Sequence, residues 1–128
     1  MKQPSLSAAV DISQKQRHSA LQAVMNILQK WGCSTEEMKK LLGIENDREL
    51  LELQQSSGIR NISADTLERL SYLLNIHAAL RTSFTESDSI YGWVRKPNSD
   101  PFFGGRSAMD VMTQGRVNDL YEVMRRLM

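Results

Sequence analysis

Cysteine is nearly absent from this chain. Cys33 stands alone among 128 residues, so no internal disulfide can form, and the sequence suits a reducing compartment. Proline and glycine are scarce, at three and seven residues, while leucine and methionine are common, a balance that favours helices. Charge of one sign is also missing. The net charge of +1 gives no broad electrostatic footprint for nucleic acid, so any DNA contact must rest on a local patch. No apolar run approaches 20 residues and no secretory signal is present, so a soluble cytoplasmic protein with no membrane partner is expected. A chain of this length buries roughly two thirds of the surface its unfolded form exposes. It is one domain or two small ones sharing an interface.

What is present is a series of short, capped, amphipathic runs. Residues 1–12 mix Lys2, Pro4, Ser5 and Ser7 with small apolar residues and read as a flexible arm. Leu21, Val24, Met25, Leu28 and Trp31 then form one apolar stripe, predicting a helix over 19–31 that Gly32 ends. Ser34 and Glu37 form a capping box for a helix over 34–42 with Met38, Leu41 and Leu42 inward and Gly43 closing it. Asp47 is the expected cap of a helix over 47–55 carrying Leu50, Leu51 and Leu53, stopped by Ser56-Ser57-Gly58. Ser63 caps a helix over 63–74, with Leu67, Leu70, Leu73 and Leu74 inward and Asn75 ending it, and a further helix is expected over 76–84. A short helix leads through Ile90 and Tyr91 to Trp93. No alternating strand pattern of useful length appears, and the class is all-α. The 34–42 and 47–55 runs, joined by four residues, have helix-turn-helix spacing.

No catalytic or metal-ligating constellation stands out. His18 and His77 are far apart and sit in no ligand or nucleophile motif, and His77 reads as a packed or capping residue. Glu36 and Glu37 close to Cys33 disfavour its thiolate, so a buried or inert thiol is expected. Gly104-Gly105-Arg106-Ser107 precedes a helix, yet lacks the full P-loop pattern and the strand before it, and reads as a structural turn. An enzyme is not expected.

The segment from Trp93 to Met128 is the most informative. Pro97 and Pro101 force a loop, Phe102 and Phe103 give it apolar anchors, and Gly104-Gly105 permit positive φ. Ser107 and Asp110 start a helix over 107–113 that Gly115 ends, and a last helix over 117–127 presents Val117, Leu120, Tyr121, Met124 and Leu127 on one face. Trp93, Pro97-Asn98, Phe103 to Ala108, Asp110-Val111-Met112 and Gly115 resemble the C-terminal domain of the Xre/MbcA/ParS-type antitoxins, partners of RES-domain toxins. Trp31-Gly32, Ser34 to Glu37, Leu41-Leu42-Gly43 and Leu67 to Leu74 are similar to the Xre-like N-terminal domain of the same family.

The resemblance implies an Xre-like helix-turn-helix domain over 13–84 packed with a small helical toxin-binding domain over 85–128. It implies a homodimer that binds and neutralises a NAD+-consuming or ADP-ribosylating RES-domain toxin by covering its NAD+ entrance. It also implies autorepression through operator DNA, and no cofactor on the antitoxin itself. Carried onto this chain, the toxin-binding residues are Asn98, Phe103, Gly105, Arg106, Ser107, Tyr121, Arg125, Arg126 and Met128. Arg106, a long cation after two glycines, is expected to point outward and to make a directed contact with the toxin or brace the loop. The DNA-binding residues are Lys39, Lys40, Arg48, Gln54, Gln55 and Arg60. Here the chain departs from the family, in which a tryptophan and a basic residue often end the corresponding helix, whereas Leu53, Gln54 and Gln55 stand here. The segment is also acidic, with Glu45, Asp47, Glu49 and Glu52 against a single Arg48. A stand-alone helix-turn-helix regulator and a helical adaptor without DNA function remain as alternatives.

Overall fold

In a computed structural model of the chain, residues 6–55 and 62–128 are described, with side chains from Lys15 onward. Arg60 and the Ser56-Ser57-Gly58 stop lie outside the described residues. Among the described residues the helices are α1 Leu6–Lys30, α2 Thr35–Leu42, α3 Asp47–Gln54, α4 Ala64–Ser83, α5 Ser87–Gly92, α6 Ala108–Met112 and α7 Val117–Leu127, with a 3-10 turn over Trp93–Arg95. No strand is present among the described residues beyond one isolated antiparallel bridge, Pro97 to Ser107.

Caps account for most of the boundaries. Ser34 Oγ accepts the Glu37 N–H at 3.2 Å while Glu37 Oε1 accepts the Ser34 N–H at 2.9 Å, a complete capping box. Ser63 accepts from the Thr66 N–H, and Ser107 and Asp110 form a second box. α3 differs from its expected start: Asn46, not Asp47, is the cap, its Oδ1 accepting the Glu49 N–H at 2.8 Å. Asn and Asp cap about equally well, so the preceding residue took the position.

Two boundaries depart further from the sequence reading. Asn75 does not end a helix, and the expected 63–74 and 76–84 helices are one, α4. Leu70, Leu73, Ile76 and Leu80 continue one buried stripe across Asn75, and that burial outweighs asparagine's weak preference for a helix end. α1 likewise begins at Leu6, inside the segment read as an arm.

α4 is the spine. It packs against α1 on one side and α7 on the other. Leu21, Val24 and Leu28 of α1, with Trp31 just beyond its end, meet Leu70, Leu73, Ile76 and Leu80 of α4 and Leu120 and Val123 of α7 in a single core that Val94, Phe103, Met109 and Met112 extend. Of the three leucines that α3 carries, Leu50 and Leu53 are buried and Leu51 stands 51% exposed on the outer face.

Among the described residues two charged side chains are buried: Asp119, which pairs with Arg116 at 3.0 Å, and Arg69. Arg69 of α4 is 6% exposed. Its Nε donates to Asp65 Oδ2 at 2.9 Å, Nη1 to the Lys40 carbonyl at 3.0 Å and Nη2 to the Gly115 carbonyl at 2.8 Å. The guanidinium lies against Gly43, whose φ is 71° and where an added Cβ would come within 2.5 Å of Arg69 Nε. Glycine is therefore required there twice over, by conformation and by space.

Gly43→Ala is expected to cost about 2–3 kcal/mol, since it adds displacement of Arg69 to left-handed strain. Gly32→Ala, with φ 70° but nothing within 4 Å of an added Cβ, should cost about 1 kcal/mol. Urea unfolding followed by the emission of Trp31 and Trp93 measures both, and equal losses would contradict the Gly43–Arg69 packing.

Candidate functional site

The loop between the 3-10 turn and α6 is closed by its own backbone. Asn98 N–H donates to the Arg106 carbonyl at 3.1 Å, and Gly105 N–H returns a bond to the Asn98 carbonyl at 2.9 Å. Asn98 Oδ1 also accepts the Asp100 N–H at 2.9 Å. Gly104 and Gly105, at φ 59° and 88°, let the chain fold back. Phe103 is buried edge-to-face on half-buried Trp93, with ring centroids 6.2 Å apart, and Phe102 packs edge-to-face on Phe103 at 5.0 Å. The Arg126 guanidinium lies 3.6 Å from the centre of the Phe102 ring. Glu122 holds Arg126 by an ion pair and Arg125 by a second at 3.5 Å. A ladder of rings thus runs from the core to a cation on the last turn of α7.

The expected toxin-binding residues divide on this geometry. Phe103 and Ser107 are buried, so they shape the loop rather than meet a partner. Asn98 is half-buried and ties the loop ends. Arg106 is exposed but its guanidinium does not reach outward: Nε donates to the Phe103 carbonyl at 2.9 Å and Nη2 to the Phe102 carbonyl at 3.3 Å. It braces the turn. Gly105, Arg125, Arg126 and Met128 are exposed, Met128 at 80%. Tyr121 is on the next turn of α7 and stacks edge-to-face with Tyr72 at 5.7 Å. Phe102 completes the surface.

The α2–α3 face is different in character. Lys39 is drawn into ion pairs with Glu36 and Asp47, both at 2.8 Å, leaving its side chain 13% exposed. Arg48 pairs with Glu52 at 3.4 Å. Lys40, Gln54 and Gln55 are exposed. A groove of about 500 Å³ between α3 and the start of α4 has Glu45, Glu49 and Glu52 on its lining, with Ile44, Leu53 and Ile62. Phosphate contacts need local cations, and carboxylates outnumber them here.

α2 is fastened at both ends. At its C-terminal end Arg69 binds the Lys40 carbonyl, and the Thr66 hydroxyl donates to the Leu42 carbonyl at 2.8 Å. At its start, Arg95 donates from Nε to the Trp31 carbonyl at 2.7 Å, from Nη2 to the Gly32 carbonyl at 3.0 Å, and from both Nη atoms to the Glu37 carboxylate. The Arg95 hydrogen bonds hold the Glu37 carboxyl at about 2, below its ordinary 4.5. Burial first, then the Glu37 charge, push the nearby Cys33 thiol up to about 11, with Arg95 working against them. Such a thiol is unreactive at neutral pH. His77 hydrogen-bonds Tyr91 at 3.1 Å and stacks on its ring. Burial and the cations Arg81 and Lys30 hold it below its usual value.

Comparison with known proteins decides the family. The description "Antitoxin Xre-like helix-turn-helix domain" matches residues 11–75, and "Antitoxin Xre/MbcA/ParS C-terminal toxin-binding domain" matches residues 79–128. The chain belongs to the Xre/MbcA/ParS antitoxins. It is 40% identical over 107 residues to a Sinorhizobium fredii (strain NBRC 101917 / NGR234) protein called "Uncharacterized protein y4oB", covering 84% of this chain and 80% of that protein. No solved structure matches the chain.

The antitoxin is thus a binding and regulatory protein rather than a catalyst, with a toxin as partner and a helix-turn-helix of the DNA-binding kind. The two matched segments meet inside α4. Both arginine clasps cross that boundary. Sequence reasoning passed over Arg69 and Arg95. Arg69 carried a signal, because it occupies a position of the inward α4 stripe, between Thr66 and Leu73, with Asp65 four residues before it. Arg95 carried none, since its partners lie 58 to 64 residues away. No helix among the described residues is long and apolar enough to cross a membrane.

The depressed Glu37 carboxyl sets a pH dependence. A carboxylate held below its unfolded value contributes stability that is present above about 4.5 and is lost as pH falls toward about 2. Between those pH values the thermal midpoint of Glu37→Gln is expected to fall less than that of the wild type. Parallel acid limbs in thermal scans would contradict the Arg95–Glu37 clasp.

Proposed function

We propose that this antitoxin neutralises a RES-domain toxin that consumes NAD+ or transfers ADP-ribose from it, and that the surface formed by Phe102, Arg106, Arg125, Arg126 and Met128 holds that toxin. The observation that carries the reading is the ladder of Trp93, Phe103 and Phe102 ending under the Arg126 guanidinium, in the segment matched to the toxin-binding domain. Aromatic and arginine side chains dominate binding hot spots, and these are already fixed by their neighbours, so little ordering entropy is lost on contact. Gly105 leaves the loop open to close backbone approach. The RES assignment is supported by the resemblance in both halves, in the same order.

The protein acts in the cytoplasm as a homodimer and represses its own operon through the α2–α3 face. Of the cations assigned to that face and described, Lys39 is drawn in by Glu36 and Asp47, whereas Arg48 stays 89% exposed beside Glu52, so Lys40 and Arg48 are the phosphate contacts. DNA binding by the antitoxin alone is therefore weak, and a dimeric or toxin-bound assembly binds better through linked sites. The acidic lining of the α3 groove favours, as a second reading, a helical adaptor without DNA function.

Arg126→Glu combined with Phe102→Ala is expected to weaken toxin binding by about 2–5 kcal/mol. Calorimetric titration with the purified product of the neighbouring reading frame measures this, with an unchanged melting temperature as the folding control. Full affinity in the folded variant would place the toxin elsewhere. Lys40→Ala with Arg48→Ala should weaken promoter DNA binding and flatten its salt dependence by about two contacts. An unchanged salt slope in gel-shift titrations would show that another surface meets DNA.

A further inference from the structure

α2, the first helix of the helix-turn-helix, has no independent footing. Its last turn presents the Lys40 and Leu42 carbonyls, which the helix itself leaves without partners. Arg69 and Thr66 of α4 supply the donors. The same Arg69 guanidinium binds the Gly115 carbonyl in the turn between α6 and α7. A guanidinium is a rigid planar fork, so acceptors on its two Nη atoms are fixed relative to one another. Asp65 pins the third edge, and Gly43 allows no retreat of the turn without altering the contact. At the start of α2, Arg95 from the C-terminal half grips Glu37 and the carbonyls of Trp31 and Gly32. Each end of α2 is therefore set by a group that also reports the position of the C-terminal half.

We infer that Arg69, with Arg95 at the opposite end of α2, is a positioning residue that couples the two binding surfaces of the protein. A partner that shifts the α6–α7 turn or the segment around Arg95 reorients α2 against α3, and so changes affinity at the helix-turn-helix face. Linkage makes the effect reciprocal: DNA at α2–α3 changes affinity for the toxin by the same factor. This inference rests on the proposed toxin and DNA surfaces for its consequence, but the mechanical tie can be tested without either partner.

Gly115→Ala supplies the perturbation. Its φ of 93° strains an alanine while nothing lies within 4 Å to clash, so the turn shifts without damage to the core. Proton–nitrogen correlation spectra are recorded for the wild type, Gly115→Ala, Arg69→Lys and the double variant. Lysine keeps the charge and the fold but cannot reach three acceptors in a plane. With Arg69 in place, Gly115→Ala is expected to move the amide signals of Leu41 to Ile44; added to Arg69→Lys, it should leave them where that single variant has them. Equal movement in both backgrounds, or none in either, overturns the tie. Affinity for a promoter-region duplex is then measured with and without the purified neighbouring gene product. The ratio is expected to be about fivefold or more in the wild type and to fall toward one in Arg69→Lys and in Glu37→Gln. A ratio unchanged by both substitutions overturns the coupling. If the gene product does not bind the wild type at all, the proposed toxin is wrong and the spectra alone decide the tie.

Discussion

A buried arginine with three acceptors in three different places governs this structure. Removing a guanidinium from water is costly, and it is tolerated only where its donors find partners. Here Asp65, the end of α2 and the α6–α7 turn supply them. Asp65 lies on the same helix, while the other two acceptors come from separate elements, so the guanidinium is fully satisfied only when α2, α4 and the α6–α7 turn have come together. The helix-turn-helix cannot close without a glycine at position 43, and the C-terminal half cannot dock without offering the Gly115 carbonyl. The boundary between the two matched segments is therefore bridged by polar bonds as well as by the shared core along α4.

The two faces built on this frame differ in how prepared they are. The loop and the last turn of α7 hold a stack of rings and cations with bonds already made: Arg106 to the Phe102 and Phe103 carbonyls, Arg126 over Phe102, Glu122 between Arg125 and Arg126. The α2–α3 face spends its cations on its own carboxylates, Lys39 on Glu36 and Asp47, Arg48 on Glu52. One face is ordered for a protein partner. The other must be assisted to meet a polyanion.

Local chemistry was legible in the sequence, and distant chemistry was not. Ser34 with Glu37, Ser63, and Ser107 with Asp110 mark helix starts because a cap is satisfied within three residues. Asn75 misled, since its helix-ending tendency is weaker than the burial of Ile76 and Leu80 beyond it. Which of the three leucines of α3 would stay outside was open in the sequence: three in four residues cannot all face one side of a helix, and the turn geometry leaves Leu51 exposed. Arg106 was expected outward, to contact a partner or to brace the loop, and the carbonyls of Phe102 and Phe103 draw it into the second role. Phe102 was named as an anchor but not as the platform for Arg126, a pairing that only the fold brings within 3.6 Å.

Amide hydrogen exchange of the antitoxin with and without its purified toxin tests the central claim most directly. Protection is expected over the loop from Lys96 to Arg106 and the end of α7, with the outer face of α3 left as it was in the free protein. Protection confined to α2 and α3, with the loop and α7 unchanged, would contradict it.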